Sequence, residues 1–132
     1  MAELSYPLAA SGRDAVGGAG GRTVSELTLA AVLAGEIGPD DVRVNPGTLR
    51  LQAGFAEQGG NRQLAENLRR GAELASFSDE ELLRFYEMLR PGRSSAAELD
   101  SLAGTLEERG AVLSAALVRD ANAAYVRRGL IA

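Results

Sequence analysis

"SSAAELDSLAGTLEERGAVLSAALVRDANAAYV", Ser94 to Val126, is the stretch that decides the fold. Its apolar register runs Leu99, Leu102, Leu106, Gly110, Leu113, Leu117, Ala121 and Ala124, always in steps of three or four. That spacing marks one face of an α-helix and is incompatible with the alternation of a strand. Ser95 and Glu98 stand three apart just ahead of the register, as a capping box requires: the hydroxyl accepts the Glu98 N–H while the carboxylate reaches back. Gly110 costs about 1 kcal/mol relative to alanine inside a helix. Because the phase is kept across it, the expectation is one long helix or two nearly collinear ones, with Leu113 and Leu117 facing inward.

Working back toward the N-terminus, the same signals recur. "SDEELLRFYEMLR" (78–90) begins with Ser78 and Glu81 as a second capping box, and Asp79 and Glu80 suit the positive end of a helix dipole. Leu82, Phe85 and Leu89 line one side; Leu83, Tyr86 and Met88 widen the apolar arc, which predicts burial against more than one neighbour. "NRQLAENLRRGAELA" (61–75) carries Leu64, Leu68, Ala72 and Ala75 at helical spacing, with Arg62–Glu66, Glu66–Arg70 and Arg69–Glu73 as i,i+4 pairs on the outer face. "NPGTLRLQAGFAEQGG" (45–60) opens on an Asn45 cap and a proline at the first helical position, and Gly59-Gly60 close it. "GPDDVRV" (38–44) reads as a single turn started by Pro39. "TVSELTLAAVLAGEI" (23–37) reads as one helix with a Thr23/Glu26 capping box and a left-handed Gly35 at its end.

Residues 1–22 have no period. "GRDAVGGAGGR" is expected to be a flexible linker; a Walker loop would need Gly-Lys-Ser/Thr, and a dinucleotide fingerprint needs a strand before it. No segment alternates as a strand does. The fold class is therefore all-α, an irregular array of short and long helices: an extended arm over 1–22 and a single helical domain over 23–132.

Composition narrows the function. The 132 residues include no cysteine, histidine, lysine or tryptophan, so all fourteen cationic side chains are arginines. Disulfides, thiolate chemistry, triads and histidine-ligated metals are thereby excluded. The neighbouring acids at Asp40-Asp41, Glu80-Glu81 and Glu107-Glu108 point about 100° apart on a helix and do not converge on a substrate. A net charge of −4, with arginines interleaved among carboxylates, argues against nucleic acid. No apolar run is long enough to span a membrane, and "MAELSYPLAA" lacks a secretory signal, so a cytoplasmic protein is expected. No catalytic, cofactor-binding or metal-binding residue is assigned.

Interaction remains. Tyr86 and Tyr125, with Arg90 and Arg93 in the "LRPGR" connection (89–93), are residue types enriched at interfaces. Tyr6, Pro7 and Leu8 form an aromatic–proline segment ahead of the glycines, expected to dock on a neighbouring subunit.

The order of segments resembles the small (gamma) subunits of adenosylcobalamin-dependent diol and glycerol dehydratases. The resemblance runs through "YPLA" (6–9), "LTLAAVLAGEI" (27–37), "VNPGTLRLQAGFAEQGGNRQLAENLRRGAEL" (44–74), "LLRFYEMLRPGRSSAAELDSLAGTLEERG" (82–110) and "AALVRDANAAYVRRGL" (115–130). It implies a non-catalytic subunit of a radical hydro-lyase that converts a 1,2-diol or glycerol to an aldehyde and water. The implied partners are large and medium subunits, separate or fused, in a dimer of heterotrimers. Adenosylcobalamin would be held by those chains and not by this one. An N-terminal extension that directs many family members into a microcompartment is not seen here. The rival reading is a stand-alone helical adaptor unrelated to cobalamin.

Overall fold

The computed structural model describes residues 4–132; the first three residues of the expected arm lie outside it. The fold is all-α. Short helices come first: α1 (Leu8–Ser11), a 3-10 turn (Val24–Glu26), α2 (Leu29–Leu33) and α3 (Pro39–Val42). Longer ones follow: α4 (Pro46–Gln58), α5 (Arg62–Leu74), α6 (Asp79–Met88), α7 (Ala96–Glu108) and α8 (Val112–Arg128). Among the described residues the extended pairing is one isolated bridge, Gly17 with Thr23. Two compact units divide the chain, Met1–Ala72 and Glu73–Ala132, and the division falls near the end of α5.

In Glu73–Ala132 the capping predictions hold. The Ser78 hydroxyl accepts the Glu81 N–H at 3.2 Å and the Glu81 carboxylate accepts the Ser78 N–H at 2.8 Å. Ser95 and Glu98 repeat the arrangement at 3.2 and 2.7 Å. The prediction across Gly110 fails. The register does not continue as a straight helix: Gly110 sits at φ +81°, and α7 and α8 fold into an antiparallel pair. Asn122 near the end of α8 donates to the Ala96 carbonyl at the start of α7, while Arg119 pairs with Glu107. The reversal resets the phase. Ala111, Ser114, Ala115 and Val118 go inside, and Leu113 and Leu117 are exposed. The small residues on this face let the two helices approach closely, a preference that leucine periodicity alone does not reveal.

The core of this unit is continuous. Phe77, Phe85, Leu99, Leu102, Ala103, Leu106, Ala111, Ala115 and Val118 are buried together, with Leu82, Met88, Leu89 and Tyr125 packed around them. Phe77 and Phe85 meet edge to face, centroids 5.4 Å apart. The wide arc of α6 is only partly used: Leu83 and Tyr86 are 69% and 68% exposed, against the expectation that they are buried.

In Met1–Ala72 the expected first helix is split. The Glu26 carboxylate accepts both the N–H and the hydroxyl of Thr23, at 2.7 and 3.0 Å, but the turn it starts ends at Leu27. Thr28 then caps a separate helix, accepting the Ala31 N–H at 3.2 Å. Gly35 closes it at φ +73°, as its sequence position predicts. The Asn45 cap and Pro46 start of α4 are present, with Asn45 Oδ1 accepting the Gly47 N–H at 2.7 Å.

The glycine-rich stretch packs against this unit. Ala19 and Gly20 donate to the carbonyls of Arg43 and Asp40 at 3.0 and 2.8 Å. A Cβ at Gly17 would lie 1.9 Å from the Arg22 oxygen, and one at Gly18 would lie 2.0 Å from the Asp41 oxygen. At these two positions glycine serves close backbone approach.

Candidate subunit interface

The Leu89–Arg93 connection is a fastened corner. α6 ends at Met88; Gly92 turns back at φ +75° and its N–H donates to the Leu130 carbonyl at 2.7 Å. The buried Ser94 hydroxyl donates to the Met88 carbonyl at 2.8 Å, and Ala132 N–H to the Ser94 carbonyl at 2.9 Å. Tyr125 completes the corner, its hydroxyl donating to the Leu89 carbonyl at 2.6 Å. The last carbonyls of a helix have no partner within it, so these bonds from Ser94 and Tyr125 relieve a cost that burial would otherwise impose.

Two of the sequence-predicted residues share one carboxylate. Arg90 Nη1 lies 3.0 Å from Glu87 Oε2 and Arg93 Nε lies 3.3 Å from Glu87 Oε1. The Arg90 hydrogen bond, aided by the charges of both arginines, holds the Glu87 carboxyl below the usual glutamate range. All three side chains are more than half exposed. Leu83 and Tyr86 fall at i and i+3 on the exposed face of α6, and Arg90 follows two residues past its end. A corner of this kind presents an aromatic ring, an aliphatic side chain and two guanidinium groups that share one carboxylate outward. Tyr125, by contrast, is half-buried and turned inward to Leu89.

Tyr6, Pro7 and Leu8 belong to the other unit. Leu8 is buried there, whereas Tyr6 is 79% exposed with its ring 6.4 Å from that of Phe55. Tyr6 lines an open groove of about 1040 Å³ with Leu4, Gln52, Phe55, Leu64 and Leu68.

Sequence reasoning missed the polar clasp that organises residues 73–132. Glu73, expected to pair with Arg69, instead accepts the N–H groups of Leu113 and Ser114 at 2.9 and 2.8 Å and the Ser114 hydroxyl at 2.7 Å. It supplies from forty residues away the cap that Ala111 cannot supply to α8. Arg69 turns to Glu57. The expected Arg62–Glu66 pair is not formed, while Arg70–Glu66 stands at 3.9 Å. In the opposite direction Arg109 lies 3.8 Å over the Phe77 ring, bonds the Ser76 carbonyl at 3.2 Å and pairs with Glu81. The available sequence signal was the uncapped start of α8, with alanine where Ser, Thr, Asp or Asn is preferred.

Among the described residues no group of three or more His, Cys, Asp or Glu side chains gathers as a metal site. What the geometry offers is surface: exposed tyrosines, leucines and arginines at helical corners, the composition of a subunit contact. The chain belongs to the dehydratase small-subunit family: residues 1–132 match the family described as "Dehydratase small subunit". The propanediol dehydratase small subunit of Citrobacter freundii is 43% identical over 124 residues, covering 93% of this chain and 72% of that protein. Its counterpart in Salmonella typhimurium strain LT2 is 42% identical over the same shares.

Proposed function

We propose that this chain is the small subunit of an adenosylcobalamin-dependent diol dehydratase, which converts a 1,2-diol or glycerol to an aldehyde and water, and that it acts by packing on the large subunit. The observation that carries this reading is the 42–43% identity to propanediol dehydratase small subunits across 93% of the chain. The coenzyme would supply the radical chemistry when bound, and we assign it to the other chains of the complex, since no residue of this one is given a role toward it.

The contact residues proposed for the partner are Tyr6, with Pro7 and Leu8 beside it in sequence, in one unit, and Tyr86, Arg90 and Arg93, with Tyr125 fastened to the Leu89 carbonyl, in the other. The assembly proposed is a dimer of heterotrimers in the cytoplasm, and no helix among the described residues is long and apolar enough to cross a membrane.

Co-expression with large and medium subunits tests the reading. Aldehyde formation from propane-1,2-diol should require the coenzyme, and it should fall sharply when this chain is omitted. Full turnover by the other two subunits alone would refute the role. In the same system Arg90→Ala and Arg93→Ala should reduce recovery of the complex while leaving the melting temperature of the free chain nearly unchanged, since exposed ion pairs add little stability. Unchanged recovery for both variants would remove the corner from the interface.

A further inference from the structure

The corner between α6 and α7 is positively charged in an acidic chain. "RFYEMLRPGR" (84–93) holds three arginines and one glutamate, a net +2, where the whole sequence carries −4. Arg90 and Arg93 divide the single Glu87 carboxylate between them, so one guanidinium charge has no counter-charge in that cluster. The division is unequal. Arg90 donates an aligned hydrogen bond from Nη1 to Oε2 at 3.0 Å. Arg93 approaches Oε1 with Nε at 3.3 Å, and among the described residues this is its one ion pair. A guanidinium is a planar fork of five N–H donors, suited to take a carboxylate through two parallel bonds. Arg93 makes no such bidentate grip among the described residues.

The backbone beneath Arg93 is fixed on both sides. Its own N–H donates to the Arg90 carbonyl at 3.2 Å, and the Gly92 N–H before it donates to the Leu130 carbonyl at 2.7 Å. After it, the buried Ser94 gives its hydroxyl to the Met88 carbonyl and takes the Ala132 N–H on its own carbonyl. These bonds hold 92–94 while the Arg93 side chain stands 55% exposed. A charge on a fixed pedestal loses little backbone freedom on binding, and such ordering is a large part of the cost of association.

We infer that Arg93 is the docking cation of this corner: on assembly its guanidinium passes from Glu87 to a carboxylate on a partner subunit, and Glu87 is its placeholder in the free chain. The inference deepens the contact proposed above and rests on the dehydratase reading. The kind of partner follows from charge. A neutral surface laid over this corner would strip water from a guanidinium and return nothing for it. A carboxylate aligned on the fork restores both the hydrogen bonds and the charge balance. Glu87 stays tied to Arg90 when Arg93 leaves, so neither charge of that pair is orphaned. Tyr86, 68% exposed and one turn before Arg90, adds an aromatic surface beside the exchange.

Competition within the assembled enzyme tests this. Wild-type chain and a differently tagged variant are co-expressed with the large and medium subunits. Their ratio in the purified complex is then read against their ratio in the lysate. Glu87→Gln releases Arg93 without altering the shape of the corner, so it should be enriched about threefold over wild type. Arg93→Gln should be depleted about fivefold or more. In the Arg93→Gln background the gain from Glu87→Gln should shrink below about 1.5-fold, because both act through one contact. The enrichment is a gain that misfolding cannot produce, so it stands whatever Arg93→Gln does to the free chain. Equal incorporation of Glu87→Gln and wild type would overturn the proposal. Depletion of Glu87→Gln would make the carboxylate itself the contact, and would overturn it as well. So would undiminished incorporation of Arg93→Gln. A wild-type chain that never co-purifies with the other subunits defeats the dehydratase reading itself, whereas a complex that takes up every variant equally defeats only this inference.

Discussion

Tyr125 illustrates how a residue type can be right for two roles that only geometry separates. Half-exposed tyrosines are common at interfaces, and this one follows "AALVRDANAA" near the end of α8. Its hydroxyl donates at 2.6 Å to the carbonyl of Leu89, which ends α6. Tyr125→Phe keeps the ring in the core and removes that bond, so it should cost about 0.5–1.5 kcal/mol of unfolding free energy. Urea denaturation of the free chain would measure it, and a midpoint equal to wild type would show that the bond is worth nothing net. Tyr86, with the same side chain, is exposed because α6 turns that face away from the Phe77–Phe85 core. Composition identified both tyrosines; it could not tell the one that fastens the corner from the one left exposed.

Among the helices, the caps explain why so many starts were legible. Ser78, Ser95 and Asn45 each accept a backbone N–H within their own turn, a local event written in three or four residues. The start of α8 is different because its cap, Glu73, arrives through space. Glu73→Gln keeps the size but removes the charge and one acceptor oxygen. It should destabilise residues 73–132 by about 1–2 kcal/mol, read from the urea midpoint with an unchanged m-value. Loss below 0.3 kcal/mol would mean that water replaces the carboxylate at no cost. The glycine segment makes a comparable demand on the other unit. Gly18→Ala puts a methyl 2.0 Å from the Asp41 oxygen, with backbone rather than a flexible side chain in the way. The substitution should abolish the 17–23 packing and speed proteolysis near that segment, whereas Gly21→Ala, with no atom within 4 Å but φ +87°, should strain only its own turn. Equal protease resistance of Gly18→Ala and wild type would contradict the close approach.

For the whole molecule, the carboxylates act together. Glu26, Glu81, Glu87, Glu98, Glu57 and Glu107 all have pKa values below the ordinary glutamate value of 4.5. The causes differ. Backbone N–H donors lead for Glu26, Glu81 and Glu98, and arginine hydrogen bonds lead for Glu57, Glu87 and Glu107. A carboxyl whose folded pKa is depressed binds fewer protons folded than unfolded, so its contribution is present above the unfolded pKa and is lost as pH falls through the lower folded value. Melting temperature should therefore hold between pH 7 and 5 and decline below about 4.5. A melting temperature that rises on acidification would contradict this. Salt at neutral pH should erode the arginine-paired share more than the capping share, because exposed ion pairs are screened and short backbone bonds are not.

The sequence by itself determined what depends on neighbours within a few residues. It specified the all-α class, the Ser78, Ser95 and Asn45 helix starts, the Gly35 stop, and the exclusion of thiol, triad and imidazole chemistry, because spacing, capping and composition are local properties. It also carried the family, through segments such as "NPGTLRLQAGF" and "LRPGRSS" whose order spans the chain. Tertiary structure decided the rest. An unbroken leucine register crosses Gly110, but only the folding of α8 back on α7 shows that Ser114, Ala115 and Val118 go inside and Leu113 and Leu117 do not. Glu73 found α8 and not Arg69, and Arg109 found Phe77 and Ser76, because electrostatic and hydrogen-bond partners are set by distance in space. Periodicity states that a helix has an apolar side; which neighbour, or which partner chain, takes that side is decided by the reversal of the backbone between helices.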